Sequence, residues 1–133
     1  MDTFRSFGRY SAGQSRVVKA TTSRDVINAF QQTGSRRIAI RAGGHSFDDQ
    51  ALHDNDTGEH IVLLVDGFRD SVFEADGRPD RVRLGSGVQW GDFLQKAITY
   101  ARQHDQPLRL PGSMQTGREA TVGGTLAGDC LSR

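Results

Sequence analysis

Hydrophobic positions in this chain come in short bursts separated by longer polar stretches, and their period changes along it. Residues 1 to 15 are polar and aperiodic and predict an irregular lead-in. Val17 to Ala20 predicts a first strand. Thr22 or Ser23 then offers a helix N-cap, Val26, Ile27 and Phe30 follow at helical spacing, and Gly34 supplies the stop. Arg37 to Arg41 predicts a strand with Ile38 and Ile40 pointing one way, ended by Gly43-Gly44. Ile61 to Val65, the longest apolar run, has the length of a buried strand. Val72 to Glu74 and Arg81 to Leu84 predict a strand pair closed by a turn at Asp76-Gly77. Trp90 to Gln103 predicts the clearest helix, with Phe93, Leu94, Ala97, Ile98 and Ala101 as its apolar stripe. Leu108 to Leu110 predicts a brief strand, and Gly112 to Arg133 a loop-rich tail with periodicity only near Thr121 to Ala127. The order β-α-β-β-β-α-β with a glycine-rich ending is an α+β arrangement rather than a regular alternation.

Composition narrows the function classes. The 133 residues bound the chain to one small domain or a piece of a larger one. Seventeen basic against 16 acidic side chains give a net charge of +1, without the basic excess of a nucleic-acid binder. No run approaches the ~20 apolar residues of a membrane span, and no signal-peptide pattern opens the chain. No membrane partner and an intracellular, cytoplasmic setting are therefore expected. The single cysteine, Cys130, excludes an intrachain disulfide and a cysteine-rich zinc site, and is expected to be a small buried hydrophobe. The 16 glycines change the picture more, because they are well above the usual ~7% and half lie at or after Gly85. Glycine in such numbers is expected where backbone must approach something closely.

Two segments carry candidate chemistry. The first is Arg41-Ala42-Gly43-Gly44-His45-Ser46, directly after a strand. Consecutive glycines let successive N–H groups point into one concavity that suits phosphate oxygens, with Ser46 and Arg41 adding a hydroxyl and a charge. The same residues also suit an ordinary tight turn. The second is Leu110-Pro111-Gly112-Ser113 with Thr121 to Asp129, where something flat or anionic could lie against the backbone, or where a plain surface loop would look alike. Gly85-Ser86-Gly87-Val88-Gln89-Trp90-Gly91 is not a Rossmann fingerprint: its third glycine comes one residue late, and no acidic residue ends a strand ~20 residues on. His45, His53 and His60 with Asp48, Asp49, Asp54 and Asp56 match no metal-ligand spacing and predict a solvated loop, with no metal. His104 is expected to end a helix, as a favourable C-terminal cation or as a solvent-exposed residue.

In this order, Arg41-Ala42-Gly43-Gly44-His45-Ser46-Phe47, Leu110-Pro111-Gly112-Ser113 and Thr121-Val122-Gly123-Gly124 resemble the FAD-binding domain of the p-cresol methylhydroxylase and vanillyl-alcohol oxidase superfamily. The resemblance runs from about Val17 onward. It implies an incomplete FAD-binding domain over residues 16–133, comprising a first α+β subdomain and part of a second, with no substrate domain. The loop Ala42 to Phe47 would hold the FAD pyrophosphate by its amides, with Arg41 adding charge. Pro111, Gly112, Ser113, Thr121, Val122, Gly123, Gly124 and Asp129 would close on the cofactor from the other side. In relatives with Gly-Gly-His here, among them alditol, gulonolactone and berberine-bridge-type oxidases, the histidine bonds to the flavin 8α-methyl carbon. That implies covalent attachment through His45, or else simple packing of His45 against the flavin. Relatives with a second bond carry a cysteine after the Pro-Gly; this chain has Ser113-Met114-Gln115-Thr116, so no second bond is expected.

The implied activity is a flavin-dependent oxidase acting on an alcohol or hemiacetal, such as a sugar, polyol or hydroxylated metabolite, with hydride transfer to flavin N5. Catalytic base and substrate pocket are expected outside these residues, in a C-terminal part or a separate chain. A noncatalytic flavin- or nucleotide-binding fragment, and a non-flavin α+β interaction domain, are the alternatives.

Overall fold

A computed structural model of the chain describes residues 2–5, 12–34, 37–45, 61–107 and 117–127. The chain divides into two compact units, Met1–Phe68 and Arg69–Arg133.

The first unit is built on strands β1 (Asp2–Arg5), β2 (Ala12–Lys19), β3 (Ile38–Arg41) and β4 (Ile61–Leu64), with helix α1 (Ser23–Thr33) between β2 and β3. Sheet order is β1-β2-β4-β3. The strand β2 is divided between partners: its first half pairs antiparallel with β1 (Asp2 opposite Ser15, Arg5 opposite Ala12). Its second half pairs parallel with β4, Arg16 to Lys19 lying opposite Ile61 to Leu64. The last parallel pair sets Ile38 to Arg41 opposite Ile61 to Leu64. The central strand β4 carries the apolar run, and Val62 and Leu63 are fully buried. A continuous apolar sequence is what a strand covered on both faces requires.

The expected lead-in over residues 1 to 15 is thus corrected: it contains β1 and the start of β2. Backbone hydrogen bonds within a hairpin order a polar segment without any apolar run, so hydropathy gave no sign of it.

Helix α1 starts and stops where the sequence predicts. Thr22 accepts the Asp25 N–H at 3.2 Å while the Asp25 carboxylate accepts the Thr22 N–H at 2.9 Å, a reciprocal capping box. Gly34 ends it with φ +59°. Its buried stripe differs from the expected one. Ala29 packs with Leu63 and Ala20, joined by Val26, Val18, Ile38, Val65 and Phe68, whereas Ile27 and Phe30 are each 52% exposed. Burial follows Val26, Ala29 and Thr33, one narrow row of positions three or four apart. Ile40 also differs from its neighbour Ile38, being 54% exposed.

The second unit begins with a hairpin of β5 (Ser71–Phe73) and β6 (Val82–Leu84), Phe73 lying opposite Val82. The chain turns through Ala75–Gly77, with Glu74 and Asp76 at positive φ, close to the predicted turn. Helix α2 spans Trp90–Gln103 as predicted. It buries Phe93 and Ala97 with Val88 and Val122, and Phe73, Leu84 and Trp90 pack around them. Phe73 stacks between Phe93 and Tyr100, at ring-centroid distances of 6.1 and 4.5 Å. His104 is the exposed C-cap and stacks on Tyr100 at 4.2 Å.

The loop-rich tail is corrected in one place. Val122–Ala127 forms a short helix, α3, in the one stretch of it that shows periodicity. Leu108 to Leu110 and Cys130 lie outside the described residues. No helix among the described residues is long and apolar enough to cross a membrane.

Candidate functional site

In the first unit the parallel strands β2, β4 and β3 end at one sheet edge, the carboxyl edge where open α/β sheets hold their ligands. The exit of β4 crosses close to that of β2: a Cβ on Gly67 would lie 2.8 Å from Thr21 Cγ2 and 2.9 Å from the Ala20 carbonyl oxygen. At the exit of β3, the Val65 N–H donates to the Arg41 carbonyl at 2.9 Å and ends the ladder. The chain then turns through Ala42, Gly43 and Gly44 to His45. Gly44 has φ +74°, a conformation that disfavours any side chain. No backbone acceptor among the described residues takes the N–H groups of Ala42, Gly43 or Gly44. Gly43 is exposed, and Ala42, Gly44 and His45 are half-buried. Ser46 and Phe47 lie outside the described residues.

Arg41, expected to add charge to the turn, has partners in β1. Its guanidinium donates from Nη2 to the Arg5 carbonyl oxygen at 2.8 Å, sits over the Phe4 ring at 5.3 Å, and fills the space beside Gly44. Desolvation by burial pushes the Arg41 pKa down. The charge is directed into β1. The nearby N-terminus of α1 is likewise occupied, since the Asp25 carboxylate accepts from the Thr21 and Thr22 N–H groups at 3.0 and 2.9 Å.

In the second unit, residues 118–123 lie antiparallel along residues 86–91, with Gln89 opposite Thr121. Gly91 N–H donates to the Arg118 carbonyl at 2.8 Å and Trp90 N–H to Ala120 at 3.0 Å. Val122 N–H donates to Val88 and Gly123 N–H to Ser86, both at 2.9 Å. Gly124 N–H donates to Thr121 Oγ1 at 3.2 Å, and Trp90 Nε1 to Thr125 Oγ1 at 2.9 Å. The expected amide donors Val122, Gly123 and Gly124 therefore already have partners inside the protein. Thr121 and Val122 are buried, Gly123 is half-buried and Gly124 exposed. The glycines of this run serve close backbone approach: a Cβ on Gly123 would meet Ser86 Cβ at 2.8 Å, and one on Gly91 would meet the Arg118 carbonyl oxygen at 3.1 Å. Pro111, Gly112, Ser113 and Asp129 lie outside the described residues, as do His53, His60, Asp48, Asp49, Asp54 and Asp56. Among the described residues no cluster of His, Cys, Asp or Glu is placed to hold a metal ion.

Two participants escaped sequence reasoning. Phe4 and Arg5 reach Arg41 from the segment expected to be irregular, where scattered aromatics in a polar stretch gave no periodic signal. The partnership of residues 86–91 with 118–123 was signalled only by glycines, which a ligand loop would show equally.

Comparison with known proteins agrees with this architecture. Residues 14–132 match the family model described as FAD binding domain. The solved structure of aclacinomycin oxidoreductase is similar over 98% of this chain and 27% of its own, at TM-score 0.66 and 19% identity. That of 6-hydroxy-D-nicotine oxidase from Arthrobacter nicotinovorans is similar over 89% of this chain and 23% of its own, at TM-score 0.61 and 22% identity. The chain thus spans about a quarter of the length of these solved relatives. No curated protein sequence matches it. With the family model covering nearly every residue, the chain belongs to the FAD binding domain family, and its fold is similar to that of both solved oxidoreductases.

Proposed function

We propose that this chain is the N-terminal, FAD-holding part of a flavin-dependent oxidoreductase that oxidises an alcohol or hemiacetal, such as a sugar, polyol or hydroxylated metabolite. The observation that carries the reading is the turn Ala42 to Gly44, at the carboxyl edge of a parallel sheet, with successive amides lacking a backbone acceptor among the described residues. Such a nest of N–H groups fits a diphosphate, and Gly44 supplies the positive φ that the turn adopts. Bound flavin supplies a two-electron acceptor for hydride leaving a substrate carbon, with dioxygen as the terminal oxidant.

The chain's own residues bind and orient in this reading. Ala42, Gly43 and Gly44 donate N–H groups to diphosphate oxygens, and Ser46 and Phe47 extend that loop. His45 would be the residue that bonds to the flavin 8α-methyl carbon, that carbon giving up a proton and the flavin ring taking the two electrons before dioxygen reoxidises it. Pro111, Gly112, Ser113 and Asp129 complete the cofactor contacts. Thr121 to Gly124 contribute surface rather than amides, because those of Val122, Gly123 and Gly124 are engaged. The substrate pocket and catalytic base belong to the remainder of the enzyme.

Acid precipitation of the flavin-loaded protein tests the attachment. Yellow colour is expected to stay with the wild-type precipitate and to leave that of His45→Ala; colour retained by the variant places the bond elsewhere. Peroxide release measured over a panel of sugars, polyols and hydroxylated aromatics tests the substrate class, and a flat response across it overturns that part.

A further inference from the structure

Arg41, half-buried immediately before the turn, directs its guanidinium toward β1. Three contacts fix it. Its Nη2 donates to the Arg5 carbonyl at 2.8 Å, its guanidinium carbon lies 5.3 Å from the centre of the Phe4 ring, and its Nη2 lies 2.6 Å from where a Cβ on Gly44 would stand. Strand alternation puts Arg41 on the sheet face shared by Ala39, opposite the face that α1 covers through Ile38. Phe4 is half-buried, while the Arg41 carbonyl is held by Val65 at 2.9 Å. The backbone and side chain of Arg41 are thus anchored separately, immediately before the turn.

We propose that β1 acts as a clasp: Phe4 and Arg5 hold the Arg41 guanidinium against Gly44, and this fixes the Ala42–His45 turn in its binding shape before any ligand arrives. Arg41 is then a positioning residue that need not touch phosphate. The proposal rests on the FAD reading only for the identity of the ligand. A turn ordered in advance binds more tightly because less conformational freedom is lost on association. Guanidinium shape matters here, since the planar group donates and covers an aromatic ring at once, which an ammonium does less well.

Hydrogen exchange on the full chain without flavin, followed by flavin titration, tests this. Phe4→Ala and Arg41→Gln are each expected to speed exchange of the Ala42–His45 amides by about tenfold and to weaken FAD binding by a similar factor. Arg41→Lys is expected to restore little, and the double variant Phe4→Ala/Arg41→Gln to be no worse than Arg41→Gln alone. Arg24→Gln, an exposed cation on α1, serves as the control and is expected to change neither readout. Unchanged exchange in Phe4→Ala overturns the clasp. So does weakened FAD binding confined to Arg41→Gln, additive with Phe4→Ala, because that marks a direct phosphate contact. If wild type shows the exchange pattern but takes up no FAD, the clasp stands and the FAD reading falls.

Discussion

At the scale of single residues, adjacent glycines in this chain do different work, and their environments set different costs. A methyl group on Gly123 would meet Ser86 Cβ at 2.8 Å and the Ser86 carbonyl oxygen at 3.0 Å. One on Gly124 would meet only Thr121 Oγ1, at 3.0 Å. Gly123→Ala is therefore expected to lower unfolding free energy by about 1–3 kcal/mol, the usual cost of overpacking, because backbone must move. Gly124→Ala is expected to cost clearly less in the same denaturant titration. Tyr100 gives a second test at this scale. Its hydroxyl donates to the Glu74 carboxylate, and that hydrogen bond, with desolvation and the Glu74 charge, raises the phenol's pKa above its ordinary 10.0. The folded state thus favours the neutral phenol, so its contribution is intact below pH 10 and fades as pH climbs through the raised value. Ultraviolet titration is expected to show one late phenol of the chain's two tyrosines, and Glu74→Gln to bring it back toward the usual range.

At the scale of elements, legibility tracked where the ordering free energy comes from. Helix α2 was readable because Phe93 and Ala97 bury on the stripe that its period marks. Helix α1 was readable at both ends from Thr22 and Gly34, yet not in its buried face, since Ile27 and Phe30 are apolar but remain half in solvent. Its apolar width exceeds the strip of sheet beneath it. Strand β1 was invisible because a hairpin is closed by main-chain bonds that polar residues make as readily as apolar ones. The start of α1 has a pH signature. Hydrogen bonds from the Thr21 backbone first, then from Thr22, hold the Asp25 pKa below its ordinary 3.8. A depressed carboxylate stabilises the fold fully above the unfolded pKa and loses that effect as pH falls through the folded one. Thermal melts followed by circular dichroism are expected to show a smaller acid-induced drop in midpoint for Asp25→Ala than for wild type between pH 6 and about pH 3. Thr22→Ala is expected to cost about 1 kcal/mol at neutral pH.

For the whole molecule, charge and glycine content point the same way. A chain with 17 basic and 16 acidic side chains has little net charge with which to gather a dianionic cofactor, and the arginine before the turn donates to β1. The position of the Gly43-Gly44 turn was legible in the sequence; the destination of Arg41 was not, because its hydrogen-bond partner lies 36 residues away. If amides rather than side-chain cations meet the diphosphate, FAD affinity should depend weakly on ionic strength. Raising salt until the Debye length falls to ~3 Å, near 1 M, is expected to change the dissociation constant by no more than about threefold. The same titration on Arg41→Gln should give a parallel line, displaced to weaker binding but with unchanged slope. A steep slope in wild type that flattens in Arg41→Gln would return the guanidinium to the phosphates and make β1 a bystander. Parallel lines mean that this domain holds its cofactor by backbone shape, set in advance by side chains that never reach it.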